Sequence, residues 1–580
     1  MKKYQGNLVI LITVLVLLFS LHQTNSLVGS HFTHHDDIGV ANTLINNKLC
    51  EILDEKREKY SAMPVLNVLY EKIASDSSAC ELLNSVYSYV AVPAHWTYAP
   101  VQFFFTKISL STLNTNSYEA IKYAGRLPSF VFYILGVLAF VYLLASRKYL
   151  DYKNTALIAA LALVLGMSLE LRIFASQMES FAIGVLSGVL IFGATLSVYK
   201  NKYFTFKAIF LRSIVMSIGI AMQYQGIFLA TACVVSLFLV DFIFEKSQVA
   251  FKRIIYIAFS MTFLSIFYLP FLLKNFGRGV NWNAGPNNTF IVSGASFFDR
   301  LIDLVRLLSH ETFYNIYAIS SSLQISSVYS TVNGFVLVLL FVCGLVQLYQ
   351  TRSNPENILT LLVLIFYMVV TAVILLLGAI SFGPTRHSLY HLFPLLLGVA
   401  FGLKLIISRF SSSLLELFIF LTSLIVALTS LAAFNSFSIQ RIDPLSQEVI
   451  SKYFPLTNTD LIIGENIELA LFDTVKDKFI LVNERPQCDK FKLAVTDKND
   501  LQLGLYTKLN TSKLTDDTYS TEILTAFAEY CGLNNYQMRI ADIQRVFSFE
   551  SPQQIDISDK TQNGANSIYL YRARLFITRH

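Results

Sequence analysis

The chain has 580 residues, of which 54% are hydrophobic and only 14% are charged. Soluble globular proteins carry roughly 25% charged residues, so this composition excludes a wholly soluble chain. The formal net charge of +6 is small and scattered along the sequence, which argues against a nucleic-acid partner. Apolar runs of about 18 or more residues recur between short polar gaps, and such runs can cross a hydrocarbon core of about 30 Å. We therefore expect an α-helical polytopic membrane protein.

The first apolar segment, about residues 8–28, follows two lysines and has two interpretations. It resembles a signal peptide, since Val28-Gly29-Ser30 is an acceptable cleavage site. A retained helix is favoured, because the later hydrophobic spans need no separate secretion signal. Ten more candidate spans follow, at about residues 127–145, 155–173, 181–198, 211–225, 227–244, 254–273, 334–349, 359–380, 389–407 and 414–434.

Alternating these spans from a cytoplasmic amino terminus puts five short loops in the cytoplasm. Each of these loops has at least one basic residue, as the positive-inside rule requires. The carboxyl terminus and three longer regions then lie outside, at residues 29–123, 274–331 and 436–580. The weakest part of this assignment is residues 211–227, where Gln223, Tyr224 and Gln225 can mark a re-entrant pair of helices in place of two full spans.

The outer regions also carry structural signals. Residues 51–60 and 71–89 have helical periodicity and are interpreted as amphipathic helices along the membrane surface. Beyond residue 436 the long apolar runs stop, and short β-like stretches predict a small α+β domain. The β-like stretches lie at residues 461–463, 479–482 and 567–576. The expected organisation is a transmembrane module over residues 1–435 and an extracytoplasmic domain over residues 436–580.

Four cysteines on the predicted outer side form two candidate pairs. Cys50 and Cys80 share the first outer region, and Cys488 and Cys531 share the last domain. The oxidising side of a membrane is where disulfides persist, so both pairs are disulfide candidates, with unpaired buried thiols as the alternative. The other two cysteines fall inside predicted spans and are interpreted as packing residues.

The strongest local signal is an acidic pair just beyond the first span, in the sequence His34-His35-Asp36-Asp37. Carboxylates at a membrane surface often mark a site, because they are costly unless they are solvated or paired. Such a group could act as general base on an acceptor hydroxyl or amine, or hold a divalent ion such as Mg²⁺ or Mn²⁺. The alternative is structural, since Asp36 can cap a helix that begins near Ile38.

Charged residues also gather at the predicted outer end of the third span. Glu170, Arg172 and Glu179 can supply a second carboxylate and a cation beside Asp36, or form an interfacial ion pair without a chemical role. In the second outer region, Lys274 starts a glycine-containing segment that could be a mobile flap over a site or an ordinary connecting loop.

A further cation lies in the late turn Gly383–His387, which joins two predicted spans on the outer side. The guanidinium of Arg386 suits bidentate binding of a phosphate leaving group. Its positive charge would stabilise the charge that grows as a glycosyl–phosphate bond breaks. The alternative is an interfacial arginine that anchors a helix end.

Together these groups resemble the GT-C superfamily of integral-membrane glycosyltransferases, in particular the protein mannosyltransferase and lipid A aminoarabinose transferase type. The matching stretches occur in the same order over roughly the first 410 residues. They are His35-Asp36-Asp37, Pro93-Ala94-His95-Trp96-Thr97-Tyr98-Ala99-Pro100, Tyr123-Ala124-Gly125-Arg126-Leu127-Pro128-Ser129, Arg172 through Met178-Glu179, and Arg386 with Tyr390 and Pro394.

The resemblance implies inverting transfer of a sugar from a polyprenyl-phosphate donor to an envelope lipid, glycan or protein, outside the inner (plasma) membrane. The catalytic residues that it implies are Asp36 and Asp37, which would also hold any metal ion. The implied ligands of the donor phosphate are Arg386, Arg172 and Lys274. The implied substrate-binding residues are His35, Glu170, Glu179, His95, Tyr390 and His387. Asp37 stands where many relatives have Glu, which leaves open which acid is the base and whether a metal is bound.

Two other functions are left open by the sequence. One is a transporter or flippase for lipid-linked glycans, and the other is an assembly protein whose carboxyl-terminal domain binds a partner. Transporters usually carry charges in the middle of their spans, whereas the charges here cluster at the predicted outer ends. The glycosyltransferase interpretation is therefore favoured.

Overall fold

The computed structural model of the chain describes residues 2–30, 100–113, 118–146, 155–178, 180–200, 206–223, 225–244, 257–258, 298–299, 301–302, 304, 327–376, 389–410, 413–440, 460–464, 479–481, 492, 495, 500–507, 533, 535–549 and 568–579. These residues divide into two compact units. The first unit holds the described residues up to 28, from 100 to 108 and from 126 to 438. The second unit holds residues 29–30, 109–113, 118–125 and those from 439 onward.

The described residues before the sheet form mainly α-helices. They are α1 (Lys2–Ser30), α2 (Pro100–Thr112), α3 (Tyr118–Ser146), α4 (Thr155–Gly166), α5 (Leu169–Ala175), α6 (Gly184–Lys200), α7 (Phe206–Met222), α8 (Gly226–Phe244), α9 (Ser327–Gln350), α10 (Pro355–Leu376), α11 (Leu392–Phe410) and α12 (Ser413–Gln440). A short 3₁₀ helix, Ser180–Ile183, precedes α6. Among these described helices, α1, α3, α10, α11 and α12 are long and apolar enough to cross a membrane, and the bent pair α4–α5 makes a sixth. The predicted span at 254–273 and the predicted amphipathic helices at 51–60 and 71–89 lie outside the described residues, apart from residues 257–258.

The distribution of polar and apolar side chains on α1 is the reverse of that in a soluble protein. Leu8, Leu15 and Leu18 are each 56% exposed, whereas Ser20 and Thr24 are fully buried. A helix at the surface of a soluble protein turns its apolar stripe inward. Hydrocarbon around the helix removes that driving force, and polar groups then pair with other helices. The protein is therefore a multi-pass membrane protein, as its composition predicts.

The predicted span at 155–173 is not one straight helix, because α4 and α5 meet at an angle of 54°. The break frees backbone carbonyls that hydroxyl groups of other helices satisfy. The carbonyl of Gly166 accepts hydrogen bonds from the Tyr133 hydroxyl and from Ser20 Oγ, and the carbonyl of Met167 accepts one from Ser430 Oγ at 2.5 Å. Such replacement partners are what allow a broken helix inside a membrane. Periodicity could not reveal this break, because its partners are far away in sequence.

Helices α9 and α11 cross with their backbones in contact. A methyl group added at Gly402 would collide with the carbonyl oxygen of Leu340, and one at Gly344 would collide with that of Gly398. Gly398 and Gly402 are four residues apart, which is the spacing of the small-residue motif that brings membrane helices close together. Glycine is thus required here for packing, and this contact fixes the position of α11.

The second unit contains a five-stranded sheet. Its strands are β1 (Leu461–Gly464), β2 (Phe479–Leu481), β3 (Asp500–Thr507), β4 (Tyr536–Phe549) and β5 (Ile568–Arg579). The strand order is β2-β1-β3-β5-β4, with β1 parallel to both β2 and β3, and β5 antiparallel to both β3 and β4. One face is buried and apolar, with Leu503, Ile540 and Leu575 on the three longest strands. The predicted β-like stretches correspond to β1, β2 and β5, whereas β3 and β4 were not predicted from the sequence.

Candidate functional site

Most of the residues that the sequence predicts for chemistry lie outside the described residues. These are Asp36, Asp37, His35, His95, Glu179, Lys274, Arg386 and His387, together with the disulfide candidates Cys50, Cys80, Cys488 and Cys531. Their roles stay predictions. The structure does place three of the predicted site residues, which are Glu170, Arg172 and Tyr390.

Arg172 on α5 is fully buried and bonded to α1. Its Nε donates to Thr24 Oγ1 at 3.0 Å, and its Nη2 donates to Gln23 Oε1 at 3.0 Å and to the Ser20 carbonyl at 3.3 Å. The guanidinium carbon also lies 3.6 Å from the centre of the Phe434 ring on α12, in a cation–π contact. We call this group of five residues the Arg172 clasp. It ties α5 to the carboxyl-terminal half of α1 and to the end of α12.

One nitrogen of the Arg172 guanidinium takes no part in the contacts of the clasp. Arg172 Nη1 is buried and has no hydrogen-bond partner within the part of the chain that the structure describes. A second buried arginine, Arg126 on α3, donates from its Nη1 to the carbonyl of Val28 at 3.1 Å. Two buried guanidinium groups therefore donate hydrogen bonds to the last turns of α1.

Glu170 is also buried, in the first turn of α5. Ser168 caps this helix, because its Oγ accepts a hydrogen bond from the backbone N–H of Leu171 at 3.4 Å. A carboxylate is favoured in the first turn of a helix by the exposed N–H dipoles. Glu170 and Arg172 are two residues apart on a helix and so point in different directions.

Tyr390, just before α11, lies in a cluster of aromatic side chains. Its ring stacks against that of His391, with centroids 3.9 Å apart, and it lies 6.2 Å from the ring of Phe228 on α8. The hydroxyl of Tyr367 on α10 is 2.9 Å from Nδ1 of His391. The Tyr390 hydroxyl is buried and has no hydrogen-bond partner among the described residues. The predicted substrate-binding residue thus has an unused polar group.

Gln223, at the break between α7 and α8, is buried beside the start of α6. Its carboxamide is packed so closely on Gly184 that a methyl group there would collide with it. Both the oxygen and the nitrogen of the carboxamide are without a hydrogen-bond partner in the described ranges. The sequence shows Gln223 as a polar interruption between two spans, but nothing in the sequence indicates that it is buried.

All of these groups gather at one end of the helical unit. The clasp joins the end of α1 to α5 and to the end of α12, and Arg126 joins it to the start of α3. On α3, Phe132 packs with Ile183, Leu186 and Met222, the last of which directly precedes Gln223. The start of α11 reaches the same region, since Gly188 on α6 contacts the Phe393 ring. The predicted topology assigns all of these helix ends to the outer side.

No metal centre is defined in this region. The described residues contain no group of three or more His, Cys, Asp or Glu side chains that could hold a metal ion. Asp36 and Asp37, the candidate ligands of an ion such as Mg²⁺ or Mn²⁺, are not among them, so whether a metal is bound stays an open question of the sequence.

The partners of Arg172 on α1 were missed by the sequence analysis, although a signal for them exists. Ser20, Gln23 and Thr24 are spaced at three and four residues, which puts them on one face of α1, within a stretch where His22, Asn25 and Ser26 are also polar. A polar face of this kind indicates a contact with another helix. Tyr367, in contrast, is a single tyrosine in an apolar helix, and nothing in its spacing indicates a contact with His391.

No protein-family profile and no curated protein matches the sequence. Among solved structures, the chain is similar to ArnT from Cupriavidus metallidurans in the apo state, with 12% identity, 98% of each chain covered and a TM-score of 0.47. It is likewise similar to ArnT from Cupriavidus metallidurans bound to undecaprenyl phosphate, with 10% identity, 97% of each chain covered and a TM-score of 0.46. Because both TM-scores are below 0.5, we draw no conclusion about this chain from the likeness. The interpretation rests on the chain's own residues.

Proposed function

We propose that the protein is an integral-membrane glycosyltransferase of the GT-C type, which transfers a sugar from a polyprenyl-phosphate donor to an envelope lipid, glycan or protein. The observation that carries the proposal is the gathering of buried polar side chains at one end of an otherwise apolar bundle. Such groups are expensive in a bilayer and commonly mark a functional site. The proposed topology has about 11 spans in the inner (plasma) membrane, with the site and the carboxyl-terminal domain on the extracytoplasmic side.

The proposed chemistry uses the residues that the sequence singles out. Asp36 or Asp37 takes the proton from an acceptor hydroxyl or amine while that group attacks the anomeric carbon of the donor sugar. The bond from this carbon to the phosphate oxygen breaks, and its electron pair leaves with the polyprenyl phosphate. Arg386 and Lys274 stabilise the charge of this leaving group. Attack from the side opposite the phosphate inverts the anomeric centre.

Arg172 has a more structural part in this proposal than the sequence alone predicts. Its Nε and Nη2 are bonded to α1, so Nη1 is the nitrogen that remains for a phosphate. Removal of α1 as a signal peptide would take away the hydrogen-bond acceptors of the buried Arg172 guanidinium. Stranding a buried charge costs about 3–5 kcal/mol, so the proposal includes a retained α1. Mass spectrometry of the amino terminus of the purified protein tests this, and a terminus just after Ser30 would contradict it.

The direct test of the proposed function is transfer by the purified protein in liposomes. The donors are radiolabelled polyprenyl-phosphate mannose and polyprenyl-phosphate arabinose, and an envelope extract supplies the acceptor. We expect transfer by the wild type and none by Asp36→Asn or Arg386→Ala, with normal insertion of both variants. The control is Arg409→Ala, which removes an exposed arginine at the far end of α11. Wild-type rates in both site variants would overturn the mechanism, and full activity in EDTA would remove the predicted metal ion.

The same preparation distinguishes the alternatives. Movement of the labelled lipid between leaflets without a glycosidic product would favour a transporter. Retained transfer after deletion of residues 436–580 would argue against an assembly role for the carboxyl-terminal domain.

A further inference from the structure

The side chains of Gln223 and Tyr390, which we call the Gln223–Tyr390 pair, have polar groups that the protein does not use. Gln223 is 2% exposed and Tyr390 is 6% exposed. Within the described residues, no hydrogen-bond partner exists for the carboxamide oxygen, the carboxamide nitrogen or the phenolic hydroxyl. Burying such groups without partners destabilises a protein. Native structures therefore keep them where something else completes the hydrogen bonds.

Gln223 and Tyr390 are each in contact with the start of α8. The backbone N–H of Gly226, the first residue of α8, donates to the carbonyl of Gln223 at 2.9 Å. Two residues further on, Phe228 lies against the ring of Tyr390. Helix α6 also touches both regions, since Gly184 contacts Gln223 and Gly188 contacts Phe393, three residues beyond Tyr390. Both side chains therefore lie at the end of the bundle where α6, α8 and α11 begin.

Other buried tyrosines of the same unit show that an unused hydroxyl is not general in this fold. The hydroxyl of Tyr133 donates to the carbonyl of Gly166, and the hydroxyl of Tyr367 is hydrogen-bonded to His391. Both tyrosines are as buried as Tyr390 or more so. Tyr390 therefore differs from Tyr133 and Tyr367 in lacking a hydrogen-bond partner among the described residues, and not in its depth of burial.

From this juxtaposition we propose that the Gln223–Tyr390 pair is a subsite for the hydroxyl groups of the donor's sugar ring. The inference rests on the proposed function and adds the part of the donor that this region recognises. Each sugar hydroxyl can both donate and accept, which matches a carboxamide and a phenol. Neither side chain is charged, so the pair suits a neutral polyol better than a phosphate, for which charged donors are the strong ligands.

The test compares Tyr390, whose hydroxyl has no hydrogen-bond partner among the described residues, with Tyr133, whose hydroxyl is hydrogen-bonded. Tyr390→Phe and Gln223→Met remove only the unpaired polar atoms, whereas Tyr133→Phe removes a bonded hydroxyl. Without ligand, we expect unchanged or higher thermal midpoints for the first two variants and a lower midpoint for Tyr133→Phe. Size-exclusion chromatography after heating in detergent measures these midpoints. A fall for Tyr390→Phe equal to that for Tyr133→Phe would show that its hydroxyl is used within the protein, which would overturn the proposal.

Ligand-induced stabilisation tests recognition without relying on turnover. The probes are polyprenyl-phosphate mannose, polyprenyl-phosphate arabinose and polyprenyl phosphate alone. For the sugar lipid that stabilises the wild type, we expect Tyr390→Phe and Gln223→Met each to need about tenfold more lipid, as for one lost neutral hydrogen bond. Their response to polyprenyl phosphate alone should match that of the wild type. Unchanged responses to the sugar lipid in both variants would overturn the subsite alone. A wild type that responds to none of the three lipids would overturn the proposed function, and the subsite with it.

Discussion

The Arg172 clasp and the Gln223–Tyr390 pair are both buried polar groups in one apolar bundle, but the protein supplies most of the hydrogen bonds of the clasp and, among the described residues, none to the polar side-chain atoms of the pair. The clasp uses a carbonyl, a carboxamide and a hydroxyl on α1 together with an aromatic ring on α12. The pair has aromatic neighbours but, among the described residues, no hydrogen bonds to its carboxamide or its phenol. This difference separates a group that holds helices together from one that awaits a ligand. Burial alone would not have distinguished them.

The largest effect should come from breaking the clasp on the α1 side. Gln23→Leu combined with Thr24→Val removes two of the acceptors of Arg172 and leaves its charge buried. We expect a loss of about 3–5 kcal/mol of stability, seen as poor accumulation or a sharply lower thermal midpoint. The control is Leu15→Val combined with Leu18→Val, which changes two exposed residues of the same helix. Equal effects of the two double variants would contradict the structural role of the clasp.

An intermediate effect is expected at the contact between α9 and α11. Gly402→Ala puts a methyl group against the backbone of Leu340, so the two helices must separate. Overpacking of this kind costs about 1–3 kcal/mol, which a lower thermal midpoint should show. The matched control is Gly193→Ala in α6, where an added methyl group meets nothing within 4 Å. Because α11 begins just after Tyr390, Gly402→Ala should also weaken binding of the sugar lipid, whereas Gly193→Ala should not.

The smallest effect should follow removal of one hydroxyl at the break between α4 and α5. Ser430→Ala leaves the carbonyl of Met167 without the partner that it has at 2.5 Å. Hydrogen bonds between membrane helices contribute about 0.6 kcal/mol on average, so the thermal midpoint should fall slightly. Ser408→Ala is the comparison, because that exposed hydroxyl bonds to Leu405 of its own helix. A larger fall for Ser408→Ala would contradict the stabilising role of Ser430 at the break.

The sequence predicts elements of this fold well where a local pattern is enough. Apolar runs locate α3, α8, α10 and α12, and β-like stretches locate β1, β2 and β5. The sequence does not predict structural features that depend on partners distant in the chain. The break at Met167 is stabilised by residues as distant as Ser430, so periodicity over residues 155–173 gives one straight span. Strand β4 alternates apolar and polar residues only over 536–540, and the alternation stops near Ala541, where its register with β5 shifts.

The candidate site shows the same limit. Arg172 is buried, its role at a phosphate stays a prediction, and its partners on α1 could be known only once the helices were packed. Tyr390 was predicted through its position after Arg386, whereas Gln223 was noted only as an interruption between spans. Whether a buried polar group has a partner depends on neighbours from several helices. Residue types and spacing do not contain that information.

The most direct test of the central claim is mass spectrometry of envelope lipids, glycans and proteins from a strain that lacks this chain. The proposed function predicts that one hexose or pentose disappears from a defined acceptor. The wild-type chain should restore that sugar, and Asp36→Asn, inserted at the same level, should not. An unchanged set of envelope glycans in the deletion strain, or full restoration by Asp36→Asn, would contradict glycosyl transfer by the proposed mechanism.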